Sequence, residues 1–183
     1  LFTSLLLYGL AALPSGGLKP VLAAGAGVIG MVLSGAPSIA MMMALGGLLV
    51  LATASRSQKD AETRTQARTW QLAAVFLTIL AAGWLAEALD QWRWRLSPLA
   101  ADWRNWRNLG RLLLWFTWPA WPLVVWTLWR WRHQLKSPSR YRHLSLPLVF
   151  VAVALLTTAF TPGADRSLLL ALPALTALAA FAL

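Results

Sequence analysis

The chain has no cysteine, so disulfides, thiolate nucleophiles and cysteine-based metal sites are excluded, and the redox compartment leaves no mark. Only two histidines occur, His133 and His143, and both fall in one basic stretch, where they read as headgroup contacts rather than metal ligands or bases. Acids are scarce as well: six Asp and Glu stand against 16 Lys and Arg, and charged residues make up 12% of the 183 positions. A net charge of +10 in a soluble protein would point to nucleic acid. Here the bases flank long apolar blocks instead, so no nucleic-acid partner is expected. The run Met41-Met42-Met43 has no His or Cys near it and reads as apolar filler rather than a metal site.

What is abundant is apolar and aromatic. The 58% hydrophobic content comes in blocks rather than dispersed as in a soluble core, and 12 of the residues are tryptophan. A helix needs about 20 mostly apolar residues to cross ~30 Å of hydrocarbon. The pattern predicts an all-α fold: a polytopic transmembrane helical bundle in a single domain, with spans near 1–13, 20–34, 37–53, 71–89, 112–129, 144–161 and 167–183. The apolar stretch 20–53 is too long for one helix, and Ser34-Gly35-Ala36-Pro37 breaks it into two short ones, a re-entrant hairpin being the alternative. Gly25, Gly27, Gly30, Gly46 and Gly47 would let neighbouring helices approach closely. In the span 112–129, Pro119 and Pro122 remove two backbone donors and predict a kink. The chain begins without Met and both begins and ends in apolar sequence, which reads as an internal piece of a longer membrane protein.

Between the spans, LDQWRWRLSPLAADWRNWRNLGR stands out. Ser97 suits a cap, Pro98 the first helical position, and Gly110 a stop. At 100° per residue Leu99, Trp103, Trp106 and Gly110 share one arc, with Arg104, Arg107 and Arg111 on the arc beside it. This predicts an interfacial amphipathic helix over about 98–109, its indoles at headgroup depth and its guanidinium groups able to fork onto phosphate oxygens. Glu87 and Asp90, at the end of the span 71–89, are candidate supporting acids, since a carboxyl in a membrane helix costs about 2.5–3.5 kcal/mol at the bilayer centre. Arg166, opening the last span, is a second candidate phosphate contact.

Bases on alternate sides set the orientation. Arg56, Lys59, Arg64, Arg68, Arg130, Arg132, Lys136, Arg140 and Arg142 lie on one side, and Arg93, Arg95, Arg104, Arg107, Arg111 and Arg166 on the other. Nine against six makes the first side cytoplasmic.

Three segments resemble the C-terminal half of the GT-C membrane glycosyltransferases, the protein O-mannosyltransferase and aminoarabinose-transferase-like group. One is the juxtamembrane helix leading into an aromatic, proline-containing span, RLLLWFTWPAWPLVVWTLWRWR; another is the turn, base and proline-containing span TPGADRSLLLALPALTALAAFAL; the third is the row of short, closely joined helices before them. The likeness covers about residues 72–183. It implies transfer of a sugar from a polyprenyl-phosphate carrier to a protein or lipid acceptor on the outer face of a bacterial inner membrane, by inverting displacement and with no cofactor. Arg166 then matches the base before the late span, and Arg104, Arg107 or Arg111 match the basic juxtamembrane helix. Ser167 departs from the aromatic residue that often follows the arginine, and the family's acidic first outer loop has no counterpart here. A non-catalytic membrane subunit that positions a partner, and a transporter of an isoprenoid-linked substrate, are the alternatives.

Overall fold

The computed structural model describes residues 1–56, 62–91, 107, 110–111, 114–115, 118, 120–132, 142–160 and 165–181. Among them the chain is all-helical, with no strand. Among the described residues seven helices can be traced: α1 (Phe2–Ala12), α2 (Lys19–Leu33), α3 (Pro37–Arg56), α4 (Glu62–Ala88), α5 (Ala120–Arg130), α6 (Arg142–Phe160) and α7 (Asp165–Ala180), with further helical residues at 107, 110–111 and 114–115.

The punctuation of the first four is local chemistry. A single 3-10 turn, Leu13–Ser15, ends α1, and Gly16 and Gly17 reverse the chain at φ 83° and 92°. α2 ends where Gly35, at φ 84°, takes the left-handed conformation that glycine adopts without penalty. There Gly35 N–H donates to Val32 O at 2.9 Å and Ala36 N–H to Met31 O at 3.1 Å, a Schellman closure, and Pro37 then opens α3 at a position needing no donor. The same closure ends α4, with Asp90 N–H on Glu87 O at 3.0 Å and Gln91 N–H on Ala86 O at 2.9 Å.

The prolines of 112–129 behave differently from expectation. Residues 110–111 and 114–115 are helical, Trp118 lies in a turn, and α5 starts afresh at Ala120. A residue before proline is disfavoured in the helical region, which fits the turn at Trp118. Pro122 then occupies the first turn of α5, where the N–H groups have no intrahelical acceptor and a missing donor costs nothing. In place of one kinked helix of 18 residues there is a break, and α5 is 11 residues, about 16 Å.

Helices that follow one another in sequence run antiparallel. Gly9 meets Ala24, Gly27 meets Leu6 and Gly30 meets the Phe2 ring, so α1 and α2 pass in opposite directions with their backbones touching. Gly25 faces Thr78 of α4, Gly83 of α4 faces Met41 of α3, and Gly46 and Gly47 of α3 receive Val149, Leu146 and Phe150 of α6. Leu6, Leu10, Met31, Met43, Leu51 and Phe150 are fully buried in the core that results. One end of the bundle, the Gly17 end, gathers the close of α1, the start of α2 and the first apolar turn of α4, where Gln71 Nε2 donates to Gly17 O at 3.1 Å. The ends of α3, α5 and α7 and the start of α6 lie there too. At the opposite, Gly35 end lie the close of α2, α4 and α6 and the start of α3 and α7.

Thr69–Ala88 of α4 is long and apolar enough to cross a membrane; the apolar parts of α1, α2, α3, α6 and α7 are shorter. Large apolar side chains face outward along the flanks, among them Leu22, Leu49, Leu77, Leu80 and Trp84, the last 75% exposed.

Candidate functional site

The residues singled out from the sequence divide as follows. Glu87 and Asp90 are exposed at the Gly35 end, and both belong to the Schellman closure of α4. Asp90 carries the left-handed turn of that closure at φ 50°. The backbone of this pair terminates the helix, a role that the sequence reading, which weighed only the carboxyl groups, did not consider. Arg166 lies in the first turn of α7, at the same end. Arg107 and Arg111 are helical and exposed. Arg104 and the remainder of the expected interfacial helix over 98–109 fall outside the described residues.

A feature the sequence reading did not anticipate is a cleft of about 640 Å³ between α1, α6 and α7. Ser4, Leu7, Tyr8 and Ala11 of α1 line one side, Leu146 and Pro147 another, and Leu172, Pro173 and Thr176 a third, with Leu51 of α3 also in the lining and His143 and Phe181 at the Gly17 end. Both in-helix prolines of this region line it. Each lacks the N–H that would bond the carbonyl four residues back, and each presents a rigid ring, so neither helix fills the gap with a flexible side chain. Thr176 turns its hydroxyl onto Pro173 O at 3.0 Å, leaving the wall apolar. The Pro147 and Pro173 pair was the available sequence signal, but only contact between α1 and α7, which are remote in sequence, makes a cleft of it.

Two contacts tie the Gly17 ends of α5, α6 and α7 together. Thr127, fully buried, shares its hydroxyl proton between Leu123 O at 2.8 Å and Leu178 O at 3.1 Å, which pins the last turn of α5 to the last turn of α7. The His143 ring lies 5.5 Å from that of Phe181. On the outward face of α5, Trp126 and Trp129 pack at 5.3 Å between centroids and 41° between planes, and the Arg132 guanidinium sits 5.4 Å over the Trp129 ring. This three-residue spacing builds an aromatic column ending in a cation. The indole N–H groups of Trp121 and Trp131 are buried without an acceptor.

Fold and site together define a class: a protein all-helical among its described residues, with apolar side chains on its flanks and a largely apolar cleft between its first and last two helices. No protein-family model matches the chain, and neither a curated protein nor a solved structure matches it.

Proposed function

We propose that the chain is a multi-pass membrane protein and forms the later membrane portion of a glycosyltransferase that moves a sugar from a polyprenyl-phosphate donor to a protein or lipid acceptor. The observation that carries the membrane placement is the exposed apolar flank of α2, α3 and α4 set between two polar ends; contiguous apolar surface of this kind marks membrane or protein contact. Alternating helix directions fit it, and they bring Lys19 to the Gly17 end together with Arg56 at the close of α3, Arg130 at the close of α5 and Arg142 at the start of α6. Helices of 15 or 16 residues fall short of a 30 Å core alone, a mismatch that local thinning or snorkelling of the flanking bases relieves.

The Gly35 end then faces outward, and sugar transfer belongs there. The acceptor oxygen attacks the anomeric carbon as the bond to the phosphate oxygen breaks, the acceptor proton passes to a carboxylate, and the polyprenyl phosphate leaves with a developing negative charge. Arg166 stabilises that charge through charge-assisted hydrogen bonds, with Arg107 and Arg111 on the interfacial stretch as further phosphate contacts. The proton-accepting carboxylate is assigned, by the resemblance, to an outer loop beyond these residues.

Sugar transfer from a labelled polyprenyl-phosphate donor by the reconstituted full-length protein tests this. Arg166→Gln should lower kcat/KM by about 10- to 100-fold, the worth of a charged hydrogen bond. Unchanged transfer by that variant would leave Arg166 a topology signal and favour a subunit that positions a partner.

A further inference from the structure

We infer that the outward face of α4 is a lipid-contact surface fitted to a thin membrane, where the protein gathers phospholipids with short acyl chains. It draws the hydrocarbon around it in to about 21–26 Å, against ~30 Å for a typical bilayer. The inference rests on the multi-pass placement above and is independent of sugar transfer. Trp70, Leu77 and Trp84 recur every seven residues, so they form one track along the helix, and Phe76 and Leu80 widen it. All five are exposed, while Val75, Ile79, Ala82 and Ala86 on the other face are buried in the bundle. The track thus has an apolar middle and an indole near each end, the arrangement that sets tryptophan at the two headgroup levels. Trp70 and Trp84 stand 14 residues apart, about 21 Å at 1.5 Å per residue, and the exposed Glu87 follows within the next turn.

Other helices agree on the thickness. The apolar stretches Lys19–Leu33 of α2, Pro37–Thr53 of α3 and His143–Thr158 of α6 each span about 22 to 26 Å. Thr69–Ala88 of α4 would reach further, yet its outer track already meets an indole at Trp84 and a carboxylate at Glu87. Tilting shortens every one of these spans instead of extending it. Snorkelling needs long cationic stems that reach out of the hydrocarbon, and at the Gly35 end α4 exposes the short carboxylates of Glu87 and Asp90 instead. Drawing the headgroups inward is the adjustment left, and lipids with shorter chains make it most readily. A second helix is the poorer occupant. Close packing in membranes runs on small residues, and α4 turns its Gly83 toward Met41 of α3 while Trp, Phe and Leu mark the outer track.

Reconstitution into vesicles of phosphatidylcholine with chains of about 14, 18 or 22 carbons reads the preference, as displacement of a brominated phosphatidylcholine that quenches tryptophan fluorescence. Because the mismatch is shared among all the lipids around the protein, the shortest should displace the brominated lipid only about twofold better than the longest. Trp84→Phe should lower the quenched fraction of the fluorescence; an unchanged fraction means that another protein surface covers the track, and the inference falls. Trp84→Leu with Glu87→Leu carries the apolar track one turn further, about 5 Å, and should move the preference to the intermediate chain length. An unmoved preference in that variant, once folded, removes the track as the cause; if it does not fold, the chain-length series on the wild type decides alone. Equal displacement by all three lipids, or a preference for the longest, overturns the inference. Flotation with liposomes separates the two readings: failure to float refutes the membrane placement itself, whereas a protein that floats and ranks the lipids equally refutes the thin-membrane surface alone.

Discussion

Gly27 is where the close packing of α1 on α2 is most sharply testable. A methyl group added there would stand 2.6 Å from the Leu6 amide nitrogen and 2.8 Å from the Leu6 Cα. Carbon contacts prefer about 3.5–4.0 Å, so the two helices would have to part by roughly 1 Å, and the obstruction is backbone, which has no rotamer to change. Overpacking of this kind costs about 1–3 kcal/mol. Against it stands the helix preference of alanine over glycine, about 1 kcal/mol in favour of the variant. Two other helical glycines give the same propensity gain without that clash. Gly110 has nothing within 4 Å, and at Gly83 the obstacle is the terminal methyl of Met41 at 2.8 Å, which swings aside. The expected order of stability is therefore Gly110→Ala above Gly83→Ala above Gly27→Ala, with the first and last separated by about 1–3 kcal/mol. For a chain of this length that is roughly 2 to 12 °C in Tm. Fluorescence-detected size-exclusion melting in one detergent measures all three side by side. If Gly27→Ala melts with or above Gly110→Ala, the backbone contact between α1 and α2 does not exist as described.

Thr127→Val keeps the shape of the buried side chain and removes the hydroxyl that joins α5 to α7. Leu178 O retains the Phe181 N–H at 3.2 Å, so no carbonyl is stranded, and melting should show a loss of about 0.6 to 1.7 kcal/mol, the range for such bonds between membrane helices. Asp90→Gly should raise stability by about 0.5–1 kcal/mol, because glycine takes φ 50° without the steric cost an L side chain meets there. The same melting assay reads it, and a loss would mean that the Asp90 side chain contributes more than the backbone turn does.

The parts legible in the sequence are those written in short-range chemistry. The break at Ser34 to Pro37 needed only a glycine free to turn left-handed and a proline able to start a helix, and both lie within four residues of the hydrogen bonds they close. Glycines spaced along 20–53 announced close packing, and they met α1, α4 and α6. Where one residue type serves two ends, the sequence alone does not choose. Pro122 read as a kink inside a span, yet proline is equally suited to the first turn of a helix, and that is where it stands in α5. At Glu87 and Asp90 composition sees the charges and not the backbone bonds that close α4, which only the fold displays.

The cleft lay furthest from view because its three walls come from the first helix and the last two. No window of the sequence holds Leu7, Pro147 and Pro173 together, and each taken alone is an ordinary apolar residue or a helix irregularity. Pro147 and Pro173 acquire meaning only through antiparallel packing of α6 on α7, which sets two rigid rings on the same opening and leaves α1 to complete it. A proline inside a buried helix is a cost unless a neighbour fills the space and satisfies the carbonyl it leaves unbonded. Replacing both prolines by alanine restores two backbone donors and removes two rings from helix interiors, so the double variant should melt higher than the wild type; a lower Tm would mean that the rings contribute more by packing than the missing bonds cost.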